Sequence, residues 1–118
     1  MARSAARDAE VQLYQMQADI AKALANPIRL RILNRVGADE VPYGVLRAHL
    51  GISKTNLSQH LAILRTSGVL AVRREGGQVH YRLTYPEIKE LCQTMRELLA
   101  KHLATTGRQA QLLMRQVG

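Results

Sequence analysis

The 118-residue sequence predicts a mainly α fold with a small β-hairpin, on three observations. Apolar residues recur at steps of three and four in successive segments, which is the helical period. Residues that start or stop helices separate those segments: Asn26-Pro27, Gly37, Pro42, Gly51, Ser53, Ser67-Gly68 and Pro86. One pair, Gly76-Gly77, parts two β-prone runs, and glycine tolerates the positive φ of a tight hairpin turn.

Along residues 8–25, Val11, Tyr14, Ala18, Ala21 and Ala25 form a stripe widened by Leu13, Ile20 and Leu24, an apolar face broader than a lone surface helix needs. Asn26 reads as an N-cap and Pro27 as the first position of a second helix carrying Ile28, Leu30, Ile32, Leu33 and Val36, closed by Gly37. Pro42 is expected to open a third, short helix with Val45, Leu46 and Leu50 facing inward before Gly51. Ser53 caps a fourth, whose Leu57, Leu61 and Leu64 fall on one side and which ends at Ser67-Gly68. Val69 to Val72 is β-prone, and Val79, Tyr81 and Leu83 alternate with His80 and Arg82 as a half-buried strand does. After Pro86, the residues Ile88, Leu91, Cys92, Met95, Leu98, Leu99 and Leu103 mark a long fifth helix. Residues 109–117 read as a short basic amphipathic helix or a frayed end. The expected organisation is one domain over 1–106 and a basic extension over 107–118.

Seventeen Lys and Arg against nine Asp and Glu leave a formal charge of +8, which favours a polyanionic partner, nucleic acid first. Four Tyr with no Phe or Trp supply no broad stacking platform for unpaired bases, which shifts the expectation towards duplex DNA. No run approaches the ~18 apolar residues of a spanning helix, so no membrane partner is expected. The first residues lack the apolar core of a secretory signal, and a cytoplasmic location is expected. Cys92 is the only cysteine, which excludes an internal disulfide and a cage of several thiolates. A Gly-rich phosphate loop, a nucleophile elbow and a metal-ligand cluster are all missing, so neither an enzyme nor a cofactor is expected.

The third and fourth helices are separated only by Gly51-Ile52, the connection of a helix-turn-helix, and the hairpin that follows makes it a winged one. In that unit the second helix enters the major groove. With Leu57, Leu61 and Leu64 inward, Thr55, Gln59 and Ala62 point outward and Asn56 and Ser58 lie on the flanks. Gln and Asn bond adenine bidentately, Thr and Ser bond base edges or phosphates, Ala meets a thymine methyl, and Lys54 suits a phosphate. The hairpin adds Arg73, Arg74, Gln78, His80 and Arg82 as a basic finger beside that helix.

The segments 23–33, 50–70 and 76–83 resemble the ArsR family of winged-helix repressors, and the likeness spans roughly residues 10–103. The resemblance implies a bacterial or archaeal homodimer, paired through residues 8–25 and 86–104, that occupies an inverted-repeat operator until a signal releases it. Its DNA-contacting positions fall on Lys54, Thr55, Ser58 and Gln59. Its metal-sensing positions fall on Pro42 and Gly44 in one site and on Tyr85, Glu87, Leu98 and Lys101 in another, sets that cannot hold a tetrahedral ion. Arg47 departs from the small residue usual between the two helices of the motif. No effector can be read from the sequence. Cys92 reads as a small packed residue of the fifth helix, or as a thiol sensor if Lys89 and Arg96 lower its pKa. A winged helix serving protein or RNA contacts through its basic face is the alternative function.

Overall fold

The computed structural model describes residues 2–37, 39–105 and 107–117. Six helices and a small sheet follow in the order α1 (Ala2–Leu24), α2 (Pro27–Val36), β1 (Val41–Pro42), α3 (Tyr43–Leu50), α4 (Lys54–Thr66), β2 (Leu70–Glu75), β3 (Gln78–Leu83), α5 (Glu87–Leu103) and α6 (Arg108–Val117). The mainly α expectation with a small hairpin holds, and the hairpin gains a third strand.

Local chemistry sets the boundaries. The Asn26 side chain accepts hydrogen bonds from the amides of Ile28 (2.9 Å) and Arg29 (3.2 Å), satisfying two donors that the first turn of α2 leaves open. Gly37 closes the same helix at φ 55°, where a Cβ would be strained. α1 starts at Ala2 rather than near residue 8, because the Ala, Arg, Asp and Glu that precede the apolar stripe are ordinary helix formers. Pro42 does not open α3 from within. It precedes Tyr43 in extended conformation and ends the two-residue strand β1, which pairs antiparallel with β3 (Val41 opposite Tyr81, Pro42 opposite His80). An edge strand tolerates proline, since the missing amide faces away from the ladder. Val45 is 44% exposed, against the expectation that it faces inward: Leu46 and Leu50, one turn apart, take the core side of so short a helix.

The core joins Leu24 of α1, Ile32, Leu33 and Val36 of α2, Val41, Leu46 and Leu50, the Leu57–Leu61–Leu64 stripe of α4, and Val69, Leu70 and Leu83 of the sheet. Sheet order is β1-β3-β2. No side chain of α5 is fully buried, and of α1 only Ala23 and Leu24 are. Val11, Leu13, Tyr14 and Met16 on α1, and Leu91, Leu98 and Leu99 on α5, stand exposed. The radius of gyration, 17.3 Å, exceeds the ~13.5 Å of a compact chain of this length, as expected when helices project without cover.

The cap and one buried hydroxyl yield a stability test. Asn26→Ala is expected to cost about 1 kcal/mol in denaturant unfolding. The Tyr43 hydroxyl is buried with no hydrogen-bond partner among the described residues, so Tyr43→Phe is expected to leave stability unchanged or raise it by about 1 kcal/mol.

Candidate nucleic-acid interface

The helix-turn-helix forms through two adjoining caps. Gly51 ends α3 in the left-handed region (φ 66°), its amide bonded to the Arg47 carbonyl at 3.0 Å. Two residues later the Ser53 hydroxyl accepts from the Asn56 amide at 3.1 Å and starts α4. The Arg47 side chain is exposed, so its size does not disturb the packing of α3.

Three buried leucines orient α4. Leu57, Leu61 and Leu64 are 0%, 3% and 0% exposed, and Lys54, Thr55, Ser58, Gln59 and Ala62 all face solvent. Asn56 is half-buried at the first turn, so of the five polar positions read from the sequence it is the least available. A brace on the inner side holds the helix from a second direction. Arg29 of α2 donates to the Lys22 carbonyl at 3.0 Å and lies 3.3 Å from the Nδ1 of His60, tying the end of α1 to the middle of α4. Arg31 reaches the carbonyl of Leu50 at 3.4 Å. Burial, with the Arg29 charge adding to it, holds the His60 pKa below its ordinary value.

The wing turns at Gly76 and Gly77, both at positive φ (56° and 79°), and pairs Glu75 with Gln78 at its tip. Because side chains alternate along a strand, its register divides the basic residues between two faces. Leu70, Val72 and Arg74 share one face with Val79, Tyr81 and Leu83, and Tyr81 lines a cleft together with Ser58 and Arg65 of α4. Arg73, Glu75, Gln78, His80 and Arg82 take the other. There Arg73 grips both oxygens of Glu40 (Nε to Oε2 and Nη2 to Oε1, each 2.9 Å) and also pairs with Glu75. These hydrogen bonds hold both carboxyls below the usual range and raise the Arg73 pKa further. The sequence grouped Arg73 with Arg74, and the structure separates them: Arg73 is neutralised on the face away from α4, whereas Arg74 lies on the α4 side with no ion pair among the described residues. The sequence reading missed Glu40, Arg65 and Tyr81. Strand parity carried the signal for Tyr81, two positions from Val79 and from Leu83, but nothing local linked Glu40 to a residue 33 positions away.

Cys92 is half-buried in an apolar groove of about 370 Å³ between α2 and α5, lined also by Pro27, Leu30, Met95 and Leu99, with Arg31, Asn34 and Arg96 among its polar residues. Burial pushes the thiol pKa up, and Arg96 only partly opposes it. Among the described residues no three His, Cys, Asp or Glu side chains lie together as a metal would require. No described helix is long and apolar enough to cross a membrane.

Known proteins share this fold. A helix-turn-helix domain family model matches residues 24–73. The uncharacterized HTH-type transcriptional regulator Rv0081 of Mycobacterium tuberculosis is 39% identical over 93 residues, which cover 78% of this chain and 82% of that protein. The transcriptional activator HlyU of Vibrio cholerae is 35% identical across 78% of this chain and 91% of its own. The biofilm growth-associated repressor of Xylella fastidiosa is 36% identical across 63% of this chain and 65% of its own. In three dimensions the crystal structure of Rv0081 superposes with a TM-score of 0.73 at 38% identity, covering 80% of this chain and 95% of that one. The homodimeric winged helix-turn-helix DNA-binding domain of Mb0332 from Mycobacterium bovis, a candidate ArsR-family regulator, gives 0.74 at 29% identity, covering 81% and 89%.

The His60 brace predicts an acid-side loss of stability. Its folded pKa lies below the ordinary 6.5, so its contribution is complete above 6.5 and is lost as pH falls through the folded value. The melting temperature is expected to drop between neutral pH and about pH 5 by more in the native protein than in His60→Gln. Parallel pH profiles for the two proteins would contradict it.

Proposed function

Because the chain belongs to the ArsR family of winged helix-turn-helix transcriptional regulators, we propose that it is a homodimeric repressor that reads an inverted-repeat DNA operator in the cytoplasm. The observation that carries this reading is the exposed polar ridge Thr55, Ser58 and Gln59 on a helix fixed from behind by three buried leucines and flanked by a basic wing. Each α4 enters the major groove, where Thr55, Ser58 and Gln59 meet base edges, Asn56 contributes from the rim and Lys54 takes a phosphate. Arg74 and Gln78 of the wing contact the neighbouring backbone or minor groove. Arg73 is assigned a different part, as a strut that fixes the wing through Glu40. None of these roles is catalytic.

Dimerisation is proposed through the exposed apolar faces of α1 and α5. A patch of that extent on a protomer calls for a partner surface, and the Mb0332 domain is a homodimer. Two-fold pairing would set the α4 helices one duplex turn, or a small multiple of it, apart. Repression follows if operator occupancy blocks the polymerase, and the Xylella relative is named a repressor. Cys92 is the proposed position at which an oxidant or ligand would couple to the spacing of the two protomers. Burial in the groove raises its pKa, which slows the thiol in the protomer.

The reading is tested on a duplex that the protein itself selects from a random-sequence library. That duplex is expected to carry an inverted repeat with half-site centres about 10 bp, or a small multiple of that, apart. Thr55→Ala and Gln59→Ala should each weaken its binding by ~1–3 kcal/mol and relax base preference, while Arg74→Gln should weaken all duplexes alike. Equal affinity of the native protein for selected and scrambled duplexes would instead indicate a general electrostatic surface. Leu98→Asp places a charge on a side chain that is 60% exposed in the protomer, so it should leave the fold intact and give a monomer by light scattering. A dimer of undiminished stability would move the seam elsewhere.

A further inference from the structure

The gap between α4 and the wing holds a second group of polar side chains, which shares only Ser58 with the base-reading ridge. It forms a cleft of about 180 Å³ lined by Ser58, Leu61, Ala62 and Arg65 of α4 and by Tyr81 of β3. Arg74 shares the strand face of Tyr81, and both Arg65 and Arg74 lie close enough to act on that phenol electrostatically. No acidic residue lines the cleft, because the wing's own carboxylate and Glu40 are engaged by Arg73 on the opposite face. Among the described residues, the side chains of Ser58, Arg65, Arg74 and Tyr81 make no hydrogen bond or ion pair within the protein. One guanidinium group and two hydroxyls thus line the cleft with donors free, and Arg74 lies on the adjoining strand face, a set suited to a tetrahedral anion.

We propose that this cleft is a clamp for one phosphate of the DNA backbone, with Arg65 and Arg74 supplying charge and the hydroxyls of Ser58 and Tyr81 donating hydrogen bonds. The inference rests on the proposal that α4 occupies a major groove. A wing beside that helix then reaches the adjoining minor groove, and the strand that separates the two grooves passes through the space between them. The cleft lies in that space. Its contact is independent of sequence, and its effect is to fix how deep and at what angle α4 sits before any base is read.

The test measures affinity against salt for the dimer on a self-selected duplex and on a scrambled one. Because the dimer carries two clamps, Arg65→Gln is expected to lower the slope of log affinity against log salt by about 1.8 and to weaken both duplexes at least tenfold. Arg65→Lys keeps the charge and should restore the slope, which separates charge from misfolding. Arg3→Gln, an exposed charge at the start of α1, outside the cleft and ahead of the proposed pairing residues, should leave the slope at the native value. Tyr81→Phe should weaken both duplexes several-fold with the slope unchanged. A single neutral methylphosphonate moved along the strand should locate the contact. At one position per half-site it should cost the native protein about tenfold and cost Arg65→Gln several-fold less. A native slope for Arg65→Gln, native affinity for Tyr81→Phe, or equal methylphosphonate losses in both proteins at every position would overturn the clamp. Failure of the base-reading proposal has a different signature, namely unchanged preference between the two duplexes in Thr55→Ala and Gln59→Ala.

Discussion

A helix can present only one side outward once another is committed, and the commitment of α4 to the core through Leu57, Leu61 and Leu64 is the constraint from which the rest of the molecule takes its meaning. Burying three leucines is worth roughly 5–9 kcal/mol, far more than any surface contact competing to turn the helix. The stripe therefore sets the rotation of α4, Ser53 sets its start, and Arg29 with His60 holds it at mid-length. With rotation and start both fixed, Thr55, Ser58 and Gln59 have nowhere to point but solvent. Under the proposed function, preorganisation of this kind lets a short polar ridge discriminate among base edges without ordering itself on contact.

The wing obeys a different rule. A period of two allocates alternate side chains to opposite faces, so neighbouring arginines of identical chemistry acquire different surroundings. Arg73 meets Glu40, brought beside it by the two residues of β1, and Arg74 meets open space near Tyr81 and α4. The short strand β1 thus does more than extend the sheet. It sets in place Glu40, the residue before it, whose carboxylate neutralises Arg73 and leaves Arg74 as the wing arginine on the α4 side.

Much of this was legible in the chain because the strongest signals are local. Caps, glycines at positive φ and the leucine stripe act over four residues or fewer, and Asn26, Gly51, Ser53 and Leu57–Leu61–Leu64 all behave as their positions foretell. The misses have physical reasons of a different kind. Val41–Pro42 is too short to show a period, and proline there resembles a helix start because the same extended backbone precedes both. Val45 is apolar by composition and exposed by geometry, since an eight-residue helix has room for only one buried pair. The Arg73–Glu40 pair spans 33 residues and depends on tertiary proximity alone. Cys92 shows the same limit: its place on the apolar stripe was readable, but whether burial or Arg96 dominates its pKa depends on how α5 packs against α2.

Under the proposed function, the uncovered apolar faces on α1 and α5 and the open polar ridge on α4 are two halves of one design, in which one surface pairs protomers and the other reads the duplex that pairing spaces. Methylation interference on the selected duplex tests this most directly, because dimethyl sulfate marks guanine N7 in the major groove and adenine N3 in the minor groove. Interference at N7 is expected in two clusters on one face of the duplex, separated by about 10 bp or a small multiple of it, with N3 interference confined to the positions beside them. Binding that tolerates N7 methylation throughout would contradict insertion of α4 into the major groove.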